Sequence, residues 1–141
     1  MWTIEQRVGR LVEIQVASPI LLPELAGFGE RIGEIAARLG RQGQRLIACT
    51  DLTAANILPP DVAEWFIRLM QRDNPVLERG AFLIGTSAVF ALQLERMFKQ
   101  SSSLTRRTFR EPWLLLDWLG ELATPVERDR LRRFLAENGR L

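Results

Sequence analysis

Arg45-Leu46-Ile47-Ala48-Cys49-Thr50-Asp51-Leu52 is a short, nearly continuous apolar run bounded by loops. A run of this kind reads as a central strand covered on at least one face. Upstream, the periodicity changes. Between Pro23 and Leu39 the apolar residues Leu25, Phe28, Ile32, Ile35, Ala36 and Leu39 share one helical face, opposite Glu30, Glu34 and Arg38, and Gly40 ends the helix. Further upstream, residues 2–7 and 10–17 alternate across a Val8-Gly9 turn, which predicts an antiparallel hairpin. In the second strand Val12, Ile14 and Val16 face one way and Glu13 and Gln15 the other.

Downstream, residues 53–58 form a loop and Pro59-Pro60-Asp61 opens a helix, because proline and aspartate suit a first turn. Val62, Phe66, Leu69 and Met70 form its apolar face, joined by Trp65, and Asp73-Asn74-Pro75 ends it. Residues 79–85 form a second buried strand. Thr86 or Ser87 caps a helix over 88–99, with Val89, Phe90, Leu92 and Leu94 facing inward. Residues 105–110 alternate as a last strand, with Arg107 and Phe109 opposite Arg106, Thr108 and Arg110. Pro112 starts a short helix, and Thr124-Pro125 starts a final one with Val126, Leu131, Phe134 and Leu135 inward. The order predicts an α/β (α+β) fold: an opening hairpin, then alternating helices and strands with right-handed crossovers. The expected sheet is mixed, with about five strands and helices mainly on one face. Residues 1–141 form one domain, in which 125–141 is a C-terminal helical extension.

The composition narrows the chemistry. The 141 residues include no His, no Tyr and one Cys, which excludes imidazole bases, Ser/His/Asp triads, His-ligated metals and paired-cysteine zinc sites. No disulfide within the chain is available, as suits a reducing compartment. No apolar segment approaches the roughly 20 residues that span a bilayer, and Glu5 and Arg7 do not fit a signal peptide. A cytoplasmic protein is therefore expected. The net charge of +2 disfavours a nucleic-acid partner. The excess lies in the second half: residues 71–141 hold 12 basic and 9 acidic groups, against 7 and 8 in residues 1–70.

Few motifs carry chemistry. Gly27, Gly29 and Gly33 lie inside a helical run and not just after a strand, so helix packing explains them better than dinucleotide binding. Cys49 sits mid-strand with no base available and reads as a small buried hydrophobe. Asp51 stands at the carboxyl end of its strand, where open sheets bind ligands; the alternative is an Asx turn that shapes the loop. Between Glu95 and Glu111 the chain carries Arg96, Lys99, Arg106, Arg107 and Arg110 with no acid. This interval is either a positive patch for an acidic partner, anionic lipid or nucleic acid, or a solvated arginine surface. Trp65 and Trp113 sit at the edges of apolar stripes, either as core or as partly exposed anchors.

With these elements in place, the chain resembles the STAS-like domains, the fold of bacterial anti-sigma-factor antagonists, and most closely their SpoIIAA-like branch. The resemblance covers essentially the whole chain. It rests on the element order and on Arg45–Leu52, Arg79–Ser87 followed by Phe90–Arg96, and Thr108–Glu111 followed by a helix ending Asp117-Trp118-Leu119. It implies a non-enzymatic protein-interaction module in bacterial cytoplasmic regulation, with no cofactor and a regulator or kinase-like partner. The implied contact surface is the loop from Asp51 to Asp61 and the helix that follows, with Asp51, Thr53, Asn56, Asp61 and Trp65 as candidates. Antagonists of this family carry a phosphorylatable Ser or Thr in an Asp-Ser-x-Gly motif. Here that stretch is Ala55-Asn56-Ile57-Leu58-Pro59-Pro60-Asp61, without hydroxyl or glycine, so the usual phospho-switch is not expected.

The resemblance also suggests a second reading, a small apolar-ligand or lipid-binding domain. Trp65, Phe66, Trp113 and Leu116 would line its site, and Arg106, Arg107 and Arg110 would meet headgroups. Self-association through residues 125–138 or the amino-terminal edge strand would give a homodimer.

Overall fold

A computed structural model describes all of residues 1–141. Five strands form one sheet in chain order: β1 (Trp2–Glu5), β2 (Leu11–Val16), β3 (Leu46–Asp51), β4 (Leu77–Leu83) and β5 (Arg106–Phe109). β1 runs antiparallel to β2, and the remaining neighbours are parallel. The helices are α1 (Leu25–Gly40), α2 (Pro60–Asp73), α3 (Ala88–Gln100), α4 (Pro112–Gly120) and α5 (Pro125–Glu137). The expected α/β architecture with its opening hairpin is therefore present. Gly9, at φ +56°, makes the hairpin turn in a conformation open to glycine. No helix is long and apolar enough to cross a membrane.

The sheet separates two cores. On one face α1, α2 and α3 pack over Val12, Ile14, Leu46, Ala48 and Leu52. On the other, α4 and α5 pack over Leu11, Ile47, Cys49, Ala81 and Leu83. β3 is buried at all six positions because alternate residues serve opposite cores. Helix α4 and the C-terminal extension together cover the second face of the sheet.

The packing corrects several local expectations. Glu13 lies on the face opposite Val12 and Ile14, as alternation expects, but α5 lies over that face and leaves the residue 1% exposed. Its carboxylate accepts bonds of 2.8 Å from Arg130 Nε and Nη2, and one of 2.7 Å from Arg7 Nη1. In α3, Val89 and Leu92 face outward, because Phe90, Leu94, Met97 and Phe98 already complete the inward stripe. Val126 is exposed as well; in the first turn of α5 it is Glu127 that turns inward, accepting bonds from the Arg10 and Thr124 amides. Strand β4 begins two residues earlier than its apolar run suggests, since Leu77 pairs with Leu46 across a register shift.

The α1 glycines serve packing. A Cβ at Gly27 would lie 3.2 Å from the Trp2 ring, and one at Gly29 would lie 3.3 Å from the Trp65 ring. Trp2, Phe28, Trp65 and Phe66 then form a chain of edge-to-face contacts, with centroids 5.1 to 6.2 Å apart.

Candidate functional site

Three features stand out: the Asp51 turn, the rim of loops around it, and an apolar cavity beneath α1–α3. The turn is local chemistry. Asp51 Oδ1 accepts the Thr53 amide at 2.9 Å and the Thr53 hydroxyl at 2.6 Å, which is an Asx turn. Its other oxygen accepts from Arg140 Nε at 3.3 Å, tying the end of the chain to the middle of the sheet. At 4% exposure Asp51 shapes the loop from within and does not face outward. Cys49, two residues earlier, is fully buried; burial first, then the Asp51 and Glu13 carboxylates, push its thiol far above the usual range. It remains a protonated thiol at neutral pH, as its buried setting implies.

The rim is built from the connections that leave the carboxyl ends of the parallel strands. The segments 17–24 and 52–59 meet there, joined by hydrogen bonds to each other and to α3, with Gly85 of the segment 84–87 beside Thr53. The Ser18 amide donates to the Ala54 carbonyl, the Asn56 amide to Ser18 Oγ, and the Leu58 amide to Gln93 Oε1. Met1 joins the same end, because β1 is antiparallel to β2 and Met1, just ahead of it, exchanges hydrogen bonds with Ala17. Of the ten exposed large apolar residues, eight lie at this end: Met1, Leu21, Leu22, Ile57, Val89, Leu92, Trp113 and Leu114. Only Leu104 and Val126 lie elsewhere.

Among the anticipated contact residues, Asn56 and Asp61 are exposed on this rim and Thr53 is half-buried. Asp61 Oδ1 accepts the Val62 amide in the first turn of α2. Trp65 is half-buried and committed to the aromatic chain, so it is not a free anchor. Trp113, by contrast, is 59% exposed.

The basic interval divides. Arg96, Lys99, Arg107 and Arg110 are exposed, and none forms an ion pair. Arg107 lies over the Trp118 ring, 5.1 Å from its centroid, on the α4 side of the sheet. Arg106 points the opposite way, into the α2–α3 side, and leaves the expected surface patch. Its Nη1 donates to Ser103 Oγ at 2.6 Å and to Asn74 Oδ1. Burial lowers its pKa to about 10, against the opposing pull of Asp73, so the guanidinium stays charged at neutral pH.

Beside Arg106 lies a cavity of about 90 Å³ between the sheet and α1–α3. Of its 21 lining residues 17 are hydrophobic, so the space is effectively apolar. A cavity of this size costs the fold about 2 kcal/mol in lost packing at roughly 24 cal/mol per Å³. Phe66 lines it, as anticipated for an apolar-ligand site, but Trp65 does not. Trp113 and Leu116 belong to α4 on the far face, because the sheet stands between them and the cavity. Sequence reasoning missed the cavity, since no local pattern records how closely three helices approach a sheet. The signal it did contain was the alternation of β5, which sets Arg106 and Arg107 on opposite faces.

No group of three or more acidic or cysteine side chains is placed to hold a metal ion. Comparison of the chain with protein-family models, with curated proteins and with solved structures finds no match.

Proposed function

We propose that this chain is a non-catalytic, STAS-like interaction module of bacterial regulation that docks another protein on the rim at the carboxyl ends of its parallel strands. One observation carries the reading: eight of the ten exposed large apolar residues lie at that end. Scattered exposed apolar residues are ordinary, whereas their concentration at one end of a fold is the usual mark of a binding surface. The Asx turn at Asp51 and the hydrogen bonds from Ser18 to Gln93 hold this surface in one shape, so little ordering is needed on binding. Thr53 is the only hydroxyl between Leu52 and Asp61, and it is half-buried against Asp51, so docking here works without a phospho-switch.

The test pairs two charge insertions. Ile57→Asp with Val89→Asp alters the rim, and Leu104→Asp alters an apolar residue at the opposite end that is 96% exposed. Tagged proteins are used to capture partners from native lysate, which are identified by mass spectrometry. A partner held by the wild type and by Leu104→Asp, but lost with the rim variant, supports the proposal. Equal capture by all three, or by none, overturns it. Light scattering of the purified protein separates a second copy of this chain from a different partner.

A further inference from the structure

We propose that the cavity beneath α1–α3 binds an unbranched medium-chain carboxylate, with its tail in the apolar space and its carboxylate on Arg106. Ile20, Leu52 and Leu58 bring the cavity up beneath the rim, but the two proposals rest on different observations and neither depends on the other. The cavity is lined by Leu46, Ala48, Thr50 and Leu52, the alternate residues that β3 and the position after it turn to this face. A space of about 90 Å³ with 17 apolar residues among its 21 lining residues suits an extended aliphatic tail better than a bulky ring system. Its walls are side chains such as Leu58, Phe66, Met70, Phe82 and Phe90.

The polar end is equally defined. Arg106 lines both the apolar cavity and a polar surface cleft that it shares with Lys99, Ser102 and Ser103, so it stands where interior and solvent meet. Only its Nη1 donates within the protein; Nε and Nη2, the edge that grips a carboxylate with two parallel bonds, have no protein acceptor. The acids nearby are otherwise engaged. Asp73 also lines the cavity, but its two oxygens accept from Arg72 Nε and Nη2 at 2.8 and 3.2 Å. Glu95 lines the cleft and accepts the Thr108 hydroxyl at 3.2 Å. Counting Arg72, Lys99 and Arg106 against Asp73 and Glu95, the end of the cavity keeps one positive charge in excess. An anion completes it, and a carboxylate matches the planar fork.

Titration calorimetry of the intact protein with hexanoate, octanoate, decanoate and dodecanoate tests the assignment. Saturable binding of one equivalent is expected, tightening about fourfold for each methylene until the cavity is filled. Decanol, which keeps the tail and loses the charge, should bind the wild type at least tenfold more weakly than decanoate. Arg106→Met should abolish that discrimination. Ala48→Leu, which extends a lining residue into the space, should keep the fold by circular dichroism and lose decanoate binding. Equal affinity for decanoate and decanol, binding unchanged in the folded Ala48→Leu variant, or no binding of decanoate at millimolar concentration would each overturn the proposal.

Discussion

Arg130 on α5 grips the buried Glu13 carboxylate of β2 with two bonds of 2.8 Å across 117 positions of sequence. Few contacts in the fold join so distant a pair through charge. Glu13 is almost fully enclosed, and this partner and Arg7 supply the ion pairs its carboxylate makes there. Losing one member of such a pair costs more than replacing both with apolar residues.

Arg130→Met alone should therefore destabilise the protein by about 3 kcal/mol. Glu13→Leu together with Arg130→Met should recover most of that loss. Urea unfolding of the wild type, both single variants and the double variant measures the coupling directly. Strictly additive losses would mean that the pair does not act as a unit.

Arg130 also donates to Glu137, whose pKa is lowered chiefly by that hydrogen bond. A carboxylate with a depressed folded-state pKa stabilises the fold above its ordinary value of 4.5 and loses the contribution as pH falls through the lower, folded value. The wild type should be more stable than Glu137→Gln at pH 7, and the gap should close under acid. Denaturation midpoints for both proteins from pH 7 to pH 3 report the closing. Because Glu137 lies at the surface, added salt should shrink the gap as well.

Asp51 separates two roles by substitution. Asp51→Asn keeps an oxygen for the Thr53 amide but loses the charge that Arg140 meets, and should cost about 1 kcal/mol. Asp51→Ala loses both and should cost about 2 kcal/mol or more. Hydrogen exchange at the Thr53 amide distinguishes them further. It should accelerate in the alanine variant and stay close to wild type in the asparagine variant.

Cys49 offers a check on the shared central strand. It is wholly enclosed between β3 and the α4–α5 layer, and its thiol is held protonated. Ellman's reagent should therefore react only as the molecule unfolds, releasing one equivalent in denaturant and almost none under native conditions over the same time. Fast labelling of the native protein would show that the second core opens locally.

Much of the architecture was legible because it rests on short-range patterns. The six apolar positions expected on the face of α1, from Leu25 to Leu39, are all buried, together with Gly29, since helical period selects that face. The continuous run before Asp51 marked the central strand for the same reason. Glu13 was illegible. Alternation puts it opposite Val12 and Ile14 but cannot say that α5, more than a hundred residues later, returns to cover that side. Arg106 failed in the same way: its face was correct, while the cavity on that face is a product of long-range packing. The rim became visible only when topology gathered Leu21, Ile57 and Val89 at one end. Each is an unremarkable loop or first-turn residue by itself.

The burial of β3 on both sides leaves that strand no tolerance for error in its alignment. Thr50 faces the apolar cavity and Asp51 the side where Arg140 meets it. Sliding the strand by one residue would exchange them, driving a carboxylate into the driest part of the molecule and withdrawing it from its cation. An inserted or deleted residue anywhere from Leu46 to Asp51 would thus misassign both layers at once. Loops on this scaffold can drift in length, but its central six residues cannot.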